Sequence, residues 1–137
     1  MKQVKFRRPH YDREGNFSHF SYWGKISFNK DFSESSFTSP TFNSKCTYKE
    51  DEQFTCSKDK NGIEIFSGDI LSDYLETDEG LKQSLVHVFW NVKELRWDLD
   101  MSHKQDKTYS YPLATELDQY DYEITGNIHE NPKLRNL

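Results

Sequence analysis

Five histidines, two cysteines and a scatter of carboxylates are the side chains here whose chemistry could reach beyond packing. A zinc-type site asks for about four nitrogen or sulfur ligands arranged in close pairs. Cys46 and Cys56 lack that spacing and have no neighbouring histidine pair, so no metal is expected. No charged-then-apolar leader opens the chain, which points to a cytoplasmic setting and free thiols. His87 lies in the apolar run Leu85-Val86-His87-Val88-Phe89-Trp90 and reads as a packed or half-exposed neutral ring. His10, His19, His103 and His129 fall in or beside turns and read as surface residues. Acid–base catalysis needs converging carboxylates. Asp69 with Asp73 is the one pair beside a turn that reads as critical to the fold, and the simpler reading has Asp69 accepting local backbone N–H groups at the bend after Gly68.

Phosphate chemistry fares no better. Phosphate loops and dinucleotide fingerprints cluster glycines at the start of a helix, whereas the six glycines here are isolated at turns, so no cofactor is expected. Lys2, Lys5, Arg7 and Arg8 form a basic strip with no acid before Asp12, the best candidate for contacting nucleic acid. Residues 1–57 carry 9 Lys and Arg against 7 Asp and Glu, a net of +2, while residues 58–137 carry 9 against 16, a net of −7. There is no broad basic face.

The elements that would position these groups are strands. The 137 residues suit a single domain, 1–137, in which residues 1–57 supply N-terminal strands and an arm and residues 58–137 a compact barrel-like half. Only 34% are hydrophobic, but 15% are aromatic, which argues for a small, ring-rich core rather than disorder. No apolar run is long enough for a membrane helix. Val4 to Arg7 alternates until Pro9, Asp12-Arg13-Glu14-Gly15-Asn16 is a turn, and Phe17 to Trp23 resumes as a strand ending at Gly24. Asp31 to Lys45, with Ser-rich chain and Phe32, Phe37 and Phe42, reads as a long loop or edge arm lying on an apolar surface. Asn61-Gly62 predicts a two-residue hairpin turn, and Gly68-Asp69 a bend into the next strand. Leu95, Trp97, Leu99 and Met101 alternate inward against outward Arg96, Asp98 and Asp100, with Trp90 and Trp97 facing each other in the core. Gly126-Asn127 and Asn131-Pro132 are stops, and only Leu113 to Leu117 has helical character. The expected fold is all-β: an antiparallel small barrel or pseudo-barrel with at most one short helix.

One stretch is more specific. Gln53-Phe54-Thr55-Cys56-Ser57-Lys58-Asp59-Lys60-Asn61-Gly62-Ile63-Glu64-Ile65-Phe66-Ser67-Gly68-Asp69-Ile70 resembles the signature of the YopX family, approximately Q-Y-T-G-L-K-D-K-N-G-K-E-I-Y-E-G-D-I. Tyr122 to Leu134 is similar to that family's closing motif, approximately Y-E-V-I-G-N-I-Y-E-N-P-E-L, and Lys5-Phe6-Arg7 matches its opening K-F-R. Cys56-Ser57 replaces the usual Gly-Leu, and Arg8-Pro9 the usual Ala-Trp. The resemblance implies a small all-β protein of phages or prophages, with no established activity and no catalytic residues to carry across. Asn61, Gly62, Gly68, Asp69, Gly126, Asn127 and Pro132 are all of turn type and read as structural.

Many strands without convergent chemistry suit a non-enzymatic binding or assembly module whose partner is another protein or a second copy. The alternative is a nucleic-acid-binding accessory protein acting through Lys2, Lys5, Arg7 and Arg8. A third reading uses the acidic second half as a decoy for a basic host factor.

Overall fold

The computed structural model describes residues 4–27, 35–40, 47–100 and 110–136. The chain divides into two compact units, Met1–Cys56 and Ser57–Leu137. The described residues are mostly strand, paired antiparallel, with one α-helix, and one sheet is half-barrel-like.

In the first unit β1 (Val4–Tyr11) lies between β2 (Phe17–Ser27) and β5 (Glu52–Lys58), with β3 (Ser35–Thr38) outside β2 and β4 (Thr47–Tyr48) also pairing β1. Pro9 does not end β1. Its partner on that side changes there: Arg7 faces Glu52 of β5, whereas His10 faces Tyr48 of β4. The missing N–H therefore falls where no ladder bond is needed, while the Pro9 carbonyl accepts the Lys49 N–H at 3.1 Å. Gly24 does not end β2 either. It stands at φ +120, and a Cβ there would collide with the Val4 carbonyl oxygen, so glycine lets the strand pass close to β1. Of the arm, Ser35 to Thr38 forms β3 against Gly24 to Ser27, and most of the rest lies outside the described residues.

The second unit is built on the order β10-β9-β8-β7-β11. After β5, the Asp59–Ile63 turn leads into β6 (Glu64–Phe66), then come β7 (Asp69–Thr77), β8 (Gly80–Asn91) and β9 (Arg96–Asp100). β10 (Ser110–Pro112), α1 (Leu113–Gln119), β11 (Glu123–Asn127) and a 3-10 turn, Pro132–Asn136, complete it. Alternate residues of each strand point to one side. Leu71, Val86, Val88 and Leu99 thus gather with Ile65, Leu113 and Tyr122 into one buried cluster, flanked by Trp97, Leu117 and Ile124. Burying each such aliphatic side chain contributes about 1.5–3 kcal/mol. Leu113 and Leu117 stand four apart on α1 and so share the face turned to the cluster. The helix runs two residues past the expected Leu117, to Gln119.

Two hairpins differ from the sequence reading. The Asn61-Gly62 turn has three loop residues, Lys60 to Gly62, between Asp59 N–H and Ile63 O at 2.9 Å. Only Gly62 has positive φ, at +80, whereas the tighter two-residue type I′ turn needs two such residues. In the β8–β9 hairpin the turn takes Val92 to Leu95, so Leu95 is 72% exposed instead of inward. Asp98, expected outward, is fully buried, and Met101 lies outside the described residues.

Candidate functional site

The basic strip is placed by β1 and is already engaged inside the first unit. Arg7 is buried, with Nε 2.9 Å from Glu52 Oε1 and its guanidinium 4.1 Å over the Phe20 ring. Arg8 grips Asp51 through two bonds, Nε to Oδ1 at 2.8 Å and Nη2 to Oδ2 at 3.0 Å. Lys5 lies 5.8 Å from the centre of the Phe54 ring, and Lys2 is outside the described residues. The two arginines are thus neutralised by carboxylates, which weakens the expectation that they meet phosphate.

Next to them sits a feature the sequence hid. His10, expected at the surface, is fully buried: its ring stacks on His19 at 4.6 Å and its Nε2 is 2.7 Å from Ser21 Oγ. Burial, then the His19 and Arg8 charges, push its pKa below the usual 6.5 against a smaller opposing pull from Asp51. Counting outward from the Asp12–Asn16 turn would put Ser18 opposite His10; the register shifts between Tyr11, which faces Phe17, and His10, and so brings His19 there instead. Parallel stacked rings point their nitrogens away from a common centre and so do not chelate together.

In the second unit the family-like motifs form two polar knots. Asp59 is buried; its Oδ1 accepts the N–H groups of Asn61 and Ile63, both at 2.9 Å, and its Oδ2 accepts that of Ile124 at 3.0 Å. In the closing knot Asn127 Oδ1 accepts the N–H groups of His129 and Glu130, while Asn131 Oδ1 receives Asn127 N–H at 3.3 Å. The Asn131 side chain occupies the space a Cβ at Gly126 would need, so glycine is required there for close approach. Pro132 opens the final 3-10 turn. Gly68 links the strands, giving its N–H to Val88 O and taking that of Ile128. Asp69 accepts the Phe66 N–H at 2.8 Å, a local bond of the kind expected but reaching backward. Asp73 is four residues along the same strand, so about 13 Å away at strand rise, too far to share a proton with it.

Two further buried carboxylates went unread in the sequence. Asp98 collects Arg96 Nε at 2.7 Å, Asn91 Nδ2 at 2.7 Å and Ser110 Oγ at 2.9 Å. Burial raises its pKa, but these bonds and the Arg96 charge outweigh that and hold the carboxyl below its usual value. Glu116 receives the Tyr122 hydroxyl at 3.1 Å, tying α1 to the chain entering β11; burial first, then the Glu116 charge, drive the phenol pKa far up. Asn91, at the end of β8 and seven residues before Asp98, was the hint within the hairpin; Ser110 comes from β10.

Two hydroxyls do meet imidazoles, Ser21 Oγ at 2.7 Å from the buried His10 Nε2 and Ser18 Oγ at 2.9 Å from His19 Nδ1 of the next residue. Among the described residues no three His, Cys, Asp or Glu side chains are grouped to hold a metal ion, and no helix is long and apolar enough to cross a membrane. Cys56 is exposed and Cys46 lies outside the described residues. His87 is half-buried, its Nδ1 3.5 Å from Asp100 Oδ2.

What the sheet does present is apolar surface at the β8–β9 tip. Val88 and Leu99 are opposite each other in the core, and Trp90 and Trp97 continue the same face one step on, rings edge to face at 5.0 Å. There the core ends. Trp90, expected within it, is 45% exposed, and Val92 and Leu95 beyond it are 74% and 72% exposed.

The sheet edges, by contrast, are guarded. On β11 the Ile124 N–H is taken by Asp59, and the register shifts between Ile124 and Gly126. β10 is three residues long and ends at Pro112.

The fold has a solved counterpart. The crystal structure of protein EF1440 from Enterococcus faecalis is similar, with a TM-score of 0.57 at 22% identity, covering 96% of this chain and 97% of that one. No curated protein matches the chain. The family described as YopX protein matches residues 10–135, a span that takes in both the Asp59 knot and the Asn127–Asn131 knot, and the chain belongs to the YopX family.

Proposed function

We propose that this YopX-family chain is a phage-derived, non-enzymatic binding or assembly module of the bacterial cytoplasm that acts through protein–protein contacts. The observation that carries the reading is the β8–β9 tip, where Trp90, Val92 and Leu95 stay exposed although the sheet face they continue is buried. Large apolar side chains grouped at one place mark contact surfaces more often than chance exposure does, and tryptophan is the residue most enriched at their energetic centres. With β10 and β11 guarded at their edges, the contact is made by side chains of the tip and not by adding a strand to those edges.

The test is a triple substitution, Trp90→Ser, Val92→Ser and Leu95→Asn, where asparagine tolerates the positive φ of +55 found at that position. Wild type and variant are compared by light scattering after size exclusion and by affinity capture from host lysate with quantitative mass spectrometry. Self-association or a defined set of captured proteins that the folded variant loses supports the reading. Identical monomers with identical captures overturn it.

A further inference from the structure

The other end of β8 carries a second surface. Among the described residues β11 pairs β7 only from Asp69 to Ser72, and β9 pairs β8 only from His87 to Asn91. Between these limits Asp73 to Thr77 and Gly80 to Ser84 pair with each other in register, closed by Thr77 and Gly80, and no other described strand flanks them. A two-stranded ribbon without further cover is marginal in water. The side chains of Tyr74, Glu76 to Glu79 and Leu81 to Gln83 are exposed, whereas at the root Asp73 is half-buried and Ser84 buried; among the described residues Ser84 Oγ has no hydrogen-bond partner. Tyr74 and Leu81, 51% and 70% exposed, are diagonal neighbours on one face, which Glu76 and Gln83 share. Asp73, Glu76, Asp78 and Glu79 stand against Lys82 alone, a net of −3 within the ribbon.

We infer that the ribbon Asp73–Ser84 is a docking arm for a basic, extended segment of another protein, with Tyr74 and Leu81 as apolar anchors and Glu76, Asp78 and Glu79 as charge partners. The charge selects the occupant. A second copy would bring an equally acidic ribbon and repel it, and nucleic acid would be repelled along the whole arm. An arginine-bearing strand instead gains ion pairs with Glu76 and Glu79 and a cation–π contact on Tyr74, while its apolar residues cover Leu81. This refines the protein-binding reading but uses a surface about 20–30 Å along β8 from the Trp90 tip, at strand rise for the residues between, so the two stand or fall separately.

The experiment uses the full chain and a fluorescein-labelled synthetic peptide of alternating arginine and valine, with an alternating glutamate and valine peptide as its opposite. Fluorescence anisotropy is read at low salt and again at high salt. The arginine peptide binds the wild type and the glutamate peptide does not, with affinity falling as salt rises. Tyr74→Ser with Leu81→Ser weakens binding by about tenfold or more. Glu76→Gln with Glu79→Gln does the same, whereas Asp118→Asn with Asp121→Asn, an equal charge change on exposed residues elsewhere in the unit, changes it by less than about threefold. The Trp90 tip variant binds the peptide like the wild type. Failure of the arginine peptide to bind, or equal losses for the two charge-neutralised pairs, overturns the inference, since attraction would then be absent or diffuse.

Discussion

Two turns in this chain share one construction and differ in what they hold. Asp12-Arg13-Glu14-Gly15-Asn16 in the first unit and Asp59-Lys60-Asn61-Gly62-Ile63 in the second each begin with an aspartate whose Oδ1 accepts the N–H groups two and four residues on. Each places glycine fourth, at φ +84 and +80, and each closes with a backbone bond of 2.9 Å between its ends. The difference is the second carboxylate oxygen. Asp59 Oδ2 takes the N–H of Ile124, 65 residues away in sequence, and Lys60 N–H reaches Tyr122 O at 3.0 Å. Among the described residues Asp12 makes only the local bonds. Local chemistry therefore suffices to make the turn; a long-range acceptor converts the same turn into a joint of the fold.

The sharpest way to break that comparison is Asp59→Ala. Three N–H groups lose their acceptor; those of Asn61 and Ile63 lie in an exposed turn and regain water, but that of Ile124 is partly buried. The expected loss is about 2–4 kcal/mol of second-unit stability, measured by urea denaturation with amide exchange to separate the units. Asp59→Asn divides the effect. With its carbonyl oxygen facing the turn, the local bonds survive, but an NH₂ group then confronts the Ile124 N–H, and about 1–2 kcal/mol is lost. If the asparagine variant is as stable as wild type, the long-range bond is not what separates the two turns.

Acid should separate the units themselves. The first unit keeps His10 buried and neutral, with its pKa below the unfolded value of 6.5. The unfolded chain then binds more protons, so this stabilisation is complete above pH 6.5 and declines as the pH falls below it, through the folded value. The second unit contains Asp98, whose carboxyl sits below its unfolded value of 3.8, so its contribution lasts until the pH falls through that lower range. Amide NMR spectra taken down the pH scale are expected to lose protection around His10 and Ser21 first, once the pH falls below 6.5, while protection around Leu99 and Ile65 persists until the pH falls below 3.8. Simultaneous loss in both units would remove the distinction.

How much of this was legible follows the same division between local and distant. Turns announce themselves through Asp, Asn and Gly, and the strands of the second unit through alternation, so the all-β class and the hairpin positions could be read directly. Asp98 misled because period-two alternation says which side a residue points to and not whether that side is covered; this sheet buries Asp98 and Leu99 on opposite faces. Pro9 misled because a missing N–H ends a strand only where the ladder requires it. His10 looked like a turn residue because its burial depends on the strands that assemble around β1, which no local pattern records. At the candidate site, Trp90 was read as core from its pairing with Trp97. The pairing is present, but the face runs out of core one residue pair before it.

The smallest effect belongs to the first turn and completes the comparison. Asp12→Ala removes the acceptor for Glu14 and Asn16 N–H groups, both of which are exposed and return to water. What remains is the lost preference for the turn itself, about 0.5–1 kcal/mol, comparable to removing a helix N-cap, which does the same job for the same kind of donor. Gly15 still supplies the left-handed position and the β1–β2 pairing still closes the hairpin, so its amide signals shift locally while those of the second unit stay put. A loss above about 2 kcal/mol would mean that Asp12 also holds a distant group, and the contrast with Asp59 would then lie in degree and no longer in kind.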